Sequence, residues 1–196
     1  MIFRWRHQIL SEGKKIYDLT MTSSGKAATT SITDNGEVQI QFWNPSNGVL
    51  VDEIVLMAKI NVETIQAVFY HVQDVYVVES LENGVKVQSY DLKSGKEAQP
   101  VIQYDNIGDC LKTASTFVCL SSDKNAVHYT SLPLEKTSKM TISPLKWIPE
   151  TSEVEEITLV DNLDAIKLTY TQKGQSNMLL LRFTDGQVSD SKIYEK

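Results

Sequence analysis

The stretch Asp74–Ile102, DVYVVESLENGVKVQSYDLKSGKEAQPVI, decides the fold. Asp74–Leu81 is rich in valine and tyrosine, residues that suit a pleated, half-buried surface. Glu82-Asn83-Gly84 reads as a tight turn, with Asn-Gly supplying the positive-φ positions of a hairpin. Val85–Asp91 alternates apolar and polar residues, Lys93-Ser94-Gly95-Lys96 makes the next turn, and Glu97–Ile102 leads away as an outer strand. Three consecutive antiparallel strands follow from this pattern.

The same pattern recurs along the chain. A first unit covers residues 15–56: Lys15–Thr22, Ala27–Thr33, the turn Asp34-Asn35-Gly36, Glu37–Trp43, the turn Asn44 to Gly48, and Val49–Leu56. The second unit covers 64–102 and opens on Thr64–Val72; its Gly95 lies 47 residues after Gly48. The third covers 107–142, with strands at Ile107–Ser115, Thr116–Ser121 and Ala126–Leu132 and an outer strand at Lys139–Ile142. The fourth covers 156–194, with strands at Glu156–Asp161, Ala165–Thr171, Asn177–Phe183 and Gln187–Tyr194. Lys146–Glu156 reads as a loop with at most one helical turn.

Units of about 40–50 residues with four strands each are the sequence signature of β-propeller blades. A single four-stranded sheet cannot bury both of its faces, whereas stacked blades cover one another. A β-sandwich is the alternative all-β architecture, and the blade-length period favours the propeller. Ile2–Leu10 precedes the first unit as a leading outer strand, with Trp5 its largest side chain. The fourth unit supplies its own outer strand, so the leading one has no vacant place. The expectation is a single partial domain over residues 1–196, made of consecutive blades of a larger ring.

Bulk properties exclude several functions. The 196 residues carry a net charge of −6 and are 41% hydrophobic. No lysine–arginine cluster marks a nucleic-acid surface. No run approaches the roughly 18 apolar residues of a membrane-spanning helix. MIFRWRHQIL lacks the pattern of a signal peptide and reads as a strand continuing something upstream. The two cysteines, Cys110 and Cys119, lack the ligand number of a zinc site. They flank a hairpin-like return, CLKTASTFVC, and are either a cross-strand disulfide of an oxidising compartment or two buried thiols.

No catalytic constellation is visible. His7, His71 and His128 fall on separate predicted strands and read as structural or surface residues. There is no nucleophile elbow, and Ser94-Gly95-Lys96 lacks the rest of a phosphate-binding loop. Glu153, Glu155 and Glu156 read as a solvated acidic loop edge before a strand rather than a metal site. Trp5 and Trp43 read as packing anchors between blades. Trp147 sits in the proline-flanked segment Pro144-Leu145-Lys146-Trp147-Ile148-Pro149, which makes it a candidate partner contact, with simple packing the plainer alternative.

Ile2-Phe3-Arg4-Trp5-Arg6-His7 resembles an outer-strand segment of quinoprotein-like propellers. The chain more specifically resembles the N-terminal lumenal propeller of subunit 1 of the endoplasmic reticulum membrane protein complex. The likeness continues through the tryptophan-containing strand, turn and outer strand of Phe42–Glu53. It continues again through Gly108-Asp109-Cys110 and Phe117-Val118-Cys119, which is similar to a paired-cysteine hairpin of that family. The resemblance implies a Cys110–Cys119 disulfide and a fragment of a longer, membrane-anchored protein with its propeller in the lumen. It implies a non-catalytic scaffold that binds no cofactor, contacts other subunits of the complex and client membrane proteins, and supports insertion of tail-anchored and multipass proteins. The competing readings are a cytosolic WD-type interaction propeller, whose Gly-His and Trp-Asp dipeptides are absent, and a fragment of a quinoprotein-like enzyme.

Overall fold

The computed structural model describes residues 15–56, 60–146, 148–149, 152–160, 164–184 and 187–195. The leading strand expected at Ile2–Leu10, with Trp5 and His7, lies outside the described residues, as does Trp147. The described chain is all-β, with sixteen strands in four four-stranded antiparallel sheets. Among the described residues the sole helical element is a 3-10 turn at Val62–Thr64, capped by the Asn61 side chain. The turn admitted near Lys146–Glu156 is not helical where it is described.

Each sheet is a meander in chain order. The first is β1 (Lys15–Met21), β2 (Ala27–Ile32), β3 (Val38–Trp43) and β4 (Leu50–Leu56); the second is β5 (Ile65–His71), β6 (Asp74–Leu81), β7 (Gly84–Asp91) and β8 (Glu97–Asp105). The third is β9 (Ile107–Lys112), β10 (Thr116–Ser121), β11 (Ala126–Ser131) and β12 (Thr141–Pro144); the fourth is β13 (Glu153–Leu159), β14 (Ala165–Gln172), β15 (Gln175–Thr184) and β16 (Gln187–Glu195). The chain divides into two compact units, residues 1–77 with 88–98, and residues 78–87 with 99–196.

In the first unit, alternation puts Ala28, Ile40, Phe42 and Leu56 in one apolar cluster with Val68, Tyr70, Val75, Val77 and Tyr90. Phe42 and Tyr70 meet edge to face, with centroids 5.9 Å apart. The small, threonine-rich β2 is buried along its whole length. Its hydroxyls are satisfied there: Thr30 Oγ1 donates to the Val68 carbonyl at 2.7 Å, and Trp43 Nε1 donates to Thr29 Oγ1 at 3.0 Å.

The repeat is written in hydrogen bonds as well as in sequence. In the β3–β4 turn the Asn44 side chain accepts from Ser46 N at 2.9 Å; in the β7–β8 turn Asp91 accepts from Ser94 N at 2.7 Å. Gly48 N and Gly95 N each donate to the carbonyl of that Asx residue at 2.8 Å. Gly48 (φ 70°) and Gly95 (φ 66°) take the left-handed conformation that closes each turn.

Trp43 is only partly buried, and its indole bond stays within its own sheet. This corrects its expected role as a buried anchor between blades. Trp43→Ala should therefore cost about 2 kcal/mol, the loss of half a large apolar surface and one hydrogen bond, rather than the 3–5 kcal/mol of a core tryptophan. A denaturant melt measures the difference.

In the second unit, Val118, Leu120, Val127 and Tyr129 of the third sheet cluster with Ile166, Leu168, Leu179, Leu181 and Phe183 of the fourth. The Asp164 carboxylate adds a polar clasp, accepting from the hydroxyls of Thr113 and Ser115 in the β9–β10 turn.

Several boundaries differ from the sequence reading. β9 stops at Lys112, because Thr113 turns back to bond Thr116. The third outer strand runs Thr141–Pro144 rather than Lys139–Ile142, and Pro144 is tolerated because β12 is an edge. β13 begins at Glu153, so the acidic run is strand rather than loop edge; a bulge between Val154 and Glu156 and a hydrogen bond from Thr171 Oγ1 to Glu155 accommodate it.

Two turns depart from the expected chemistry. At Glu82-Asn83 the positive φ falls on Gly84 alone (142°), already the first residue of β7. Between β5 and β6, Val72 sits at φ 58°, a conformation costly for a β-branched residue. The Val72 side chain is 69% exposed, so little packing is lost on replacing it. Val72→Asn should stabilise the protein by about 1 kcal/mol, read as a raised denaturation midpoint, since asparagine tolerates this region.

Candidate interaction site

The third sheet carries the residues singled out from sequence. Antiparallel pairing puts Cys119 of β10 directly opposite Cys110 of β9. Their Cα atoms are 4.0 Å apart and the sulfurs form a disulfide between partners at a sequence separation of 9. Directly opposite residues share a sheet face, so the bridge ties neighbouring strands without crossing the sheet. A structural disulfide belongs to an oxidising, secretory-type compartment. Among the described residues, no helix is long and apolar enough to cross a membrane.

The row continues across the sheet: Cys119 faces His128 on β11, and His128 faces Ile142 on β12. His128 is half-buried; that burial lowers its imidazole pKa, and the nearby Asp123 charge partly opposes the effect. His71 is on β5, in the first unit, and His128 on β11, in the second. Among the described residues, no group of three or more His, Cys, Asp or Glu side chains could hold a metal ion.

Beside this row lies a groove of about 810 Å³. The β10–β11 turn, strand β12 and the segment entering β13 form its walls. Ile142, Pro144, Leu145, Ile148 and Val154 supply apolar lining; Asp123, Glu153 and Lys146 supply charge.

The turn wall is built around one hydroxyl. Ser121 Oγ donates to Asp123 Oδ1 at 2.6 Å and accepts from the backbone nitrogens of Asn125 (3.1 Å) and Ala126 (3.0 Å). The Ser121 hydrogen bond holds the Asp123 carboxyl below its usual pKa against the opposing effect of desolvation, with hydrogen bonds from Asn125 adding to the lowering. Lys124, in the left-handed conformation (φ 59°), sends its ammonium across to the Val154 carbonyl at 3.0 Å. This contact joins the turn to β13 and fixes the groove's width.

Trp147, the expected partner contact, is outside the described residues, although its neighbours Lys146 and Ile148 both line the groove. The sequence reading missed the groove itself. Its only sequence signal was the Pro144–Pro149 pair, which marks a non-strand segment without showing what it faces. Chemically, an apolar floor with separated charges suits a peptide segment or a loop of another protein.

No family model matches the chain, and no curated protein matches it. Among solved structures, the chain is similar to a protein from Bacteroides uniformis ATCC 8492 assigned as a 6-phosphogluconolactonase, with a TM-score of 0.50 and 12% identity over 90% of this chain and 56% of that one. It is also similar to a structure from a study of two prolyl endopeptidases, with a TM-score of 0.51 and 12% identity over 93% of this chain and 30% of that one. The chain thus spans about half the length of the first and under a third of the second. At this identity the likeness concerns the fold alone.

Proposed function

We propose that this chain is a run of consecutive propeller blades from the lumenal part of subunit 1 of the endoplasmic reticulum membrane protein complex. In this reading it is a non-catalytic scaffold, binding no cofactor, that holds other subunits and client membrane proteins while tail-anchored and multipass proteins enter the bilayer. The observation that carries the reading is the Cys110–Cys119 disulfide, because it joins the two cysteines of the hairpin on which the resemblance rests. The meander order of all four sheets supports the blade assignment. The groove beside β12, lined by Lys146 and Ile148, offers a contact surface.

A thiol-labelling experiment on sealed microsomes tests the compartment. The scaffold reading expects Cys110 and Cys119 to resist a membrane-impermeant alkylating reagent until both detergent and reductant are added. Labelling of both after denaturation without reductant would favour the cytosolic interaction propeller instead.

A further inference from the structure

The two sulfurs of the Cys110–Cys119 bridge differ in access. Cys119 is fully buried on the inner strand β10, whereas Cys110 is half-buried on β9, an edge of the third sheet. A thiolate attacks a disulfide sulfur in line with the S–S bond, through a mixed disulfide. The bond spans β9 and β10, so the line to the Cys110 sulfur enters from beyond the β9 edge, where no strand pairs among the described residues. The line to the Cys119 sulfur enters from the β11 side, through the interior of the sheet. Cys110 is therefore the sulfur that an external thiol reaches.

Opening the bridge leaves its two halves in place. The β9–β10 ladder continues through Leu111 opposite Val118 and Lys112 opposite Phe117. Thr113 N donates to the Thr116 carbonyl at 2.8 Å, and Thr116 N donates to Thr113 Oγ1 at 3.1 Å. The Asp164 carboxylate holds the same turn through Thr113 and Ser115. A freed Cys119 thiol stays opposite Cys110, at high effective concentration for closing the bond again.

His128 stands on the other side of Cys119. The two are directly opposite on β11 and β10, so they share a sheet face with Cβ atoms about 5 Å apart. Among the described residues, no hydrogen bond occupies the His128 imidazole. Its burial favours the neutral ring, against the Asp123 charge, and a neutral ring accepts a proton.

From this arrangement we infer that Cys110 is a site of thiol–disulfide exchange in the folded protein, with Cys119 as its resolving partner and His128 as the proton acceptor for Cys119. The incoming group is a thiol, carried by a small molecule such as glutathione or by a dithiol protein. Its thiolate bonds to Cys110 Sγ, the Cys110–Cys119 bond breaks, and Cys119 leaves with the electron pair and takes up the proton that the incoming thiol lost. In closing, His128 takes that proton, Cys119 Sγ attacks Cys110 Sγ, and the incoming thiolate is expelled. The mixed disulfide is a reversible covalent tether for whatever carried the thiol.

The test uses the folded full chain with reduced glutathione and, separately, with a thioredoxin-type protein whose own resolving cysteine is removed. Acid-quenched products are read by intact mass and peptide mapping. The inference expects the mixed disulfide on Cys110, and the faster of the two reactions identifies the thiol source. It expects a rate unchanged by urea well below the unfolding midpoint, because exchange needs no unfolding. Oxidised glutathione should modify Cys119→Ala about tenfold faster than Cys110→Ala. His128→Gln should slow release of glutathione from Cys110 about tenfold and leave its attachment unchanged. No reaction with either thiol, attachment at Cys119, a rate that climbs with urea, equal reactivity of the two single-cysteine variants, or a His128→Gln effect on both steps or on neither would each overturn it.

Discussion

Gly84→Ala is expected to destabilise the protein by roughly 3–5 kcal/mol, combining overpacking with a disfavoured backbone angle. A Cβ at Gly84 would stand 2.2 Å from the Tyr104 carbonyl oxygen and 3.0 Å from the Asp105 Cα. Both obstacles are backbone of β8, which pairs with β7, so no side-chain rotation relieves the clash. Asn106 N is also bonded to the Asn83 carbonyl at 3.2 Å, tying the end of β8 to the same turn. The φ of 142° adds its own penalty for any L side chain. Gly25→Ala and Gly174→Ala are the controls: both positions have φ of +77° but open space around the new Cβ, so each should cost only about 1–2 kcal/mol. Denaturant midpoints of the three variants separate steric from conformational cost. Equal losses at all three would contradict the close approach at Gly84.

Removal of the disulfide is the second large effect. The Cys110→Ala/Cys119→Ala double variant should lose roughly 3 kcal/mol, the loop-closure value for a bridge whose partners are nine residues apart. Cys119 is buried in a strand with every residue buried, so its replacement adds a small packing loss. Reductant should bring the parent protein down towards the variant and leave the variant unchanged. A parent protein indifferent to reductant under denaturing conditions would show that the bridge is absent.

The repeat was legible because turn chemistry and strand alternation were written together. Asn44 to Gly48 and Asp91 to Gly95 fold into matching closures, and the sequence distance between the two glycines already marked them as equivalent. The strand ends were less legible where a side chain or a bulge overrode the pattern. Thr113 ends β9 by bonding Thr116, and the Val154/Glu156 bulge lets three glutamates sit in a strand that their charge argued against. Val72 has no turn signature at all, and its left-handed backbone is imposed by the two-residue connection between β5 and β6. The groove was hidden for a different reason. Its walls come from the turn at residues 123–126 and from an edge strand with the segment that follows it at 142–154, and the Lys124–Val154 contact that joins them has no local motif.

The pairing of the cysteines shows how the two kinds of reading complement each other. Residue spacing left a bridge and two free thiols open, family resemblance favoured the bridge, and the strand register supplies the physical reason by putting the two Cα atoms opposite one another. The same register puts His128 in the row of the disulfide, opposite Cys119 on one side and Ile142 on the other.

Purification of the natural full-length protein from endoplasmic reticulum membranes in mild detergent, followed by mass spectrometry of what elutes with it, tests the scaffold account most directly. The account predicts stoichiometric co-elution with the other subunits of the membrane protein complex, with crosslinks from Lys124 or Lys146 at the groove to one of them. Elution alone, or with cytosolic partners only, would contradict it.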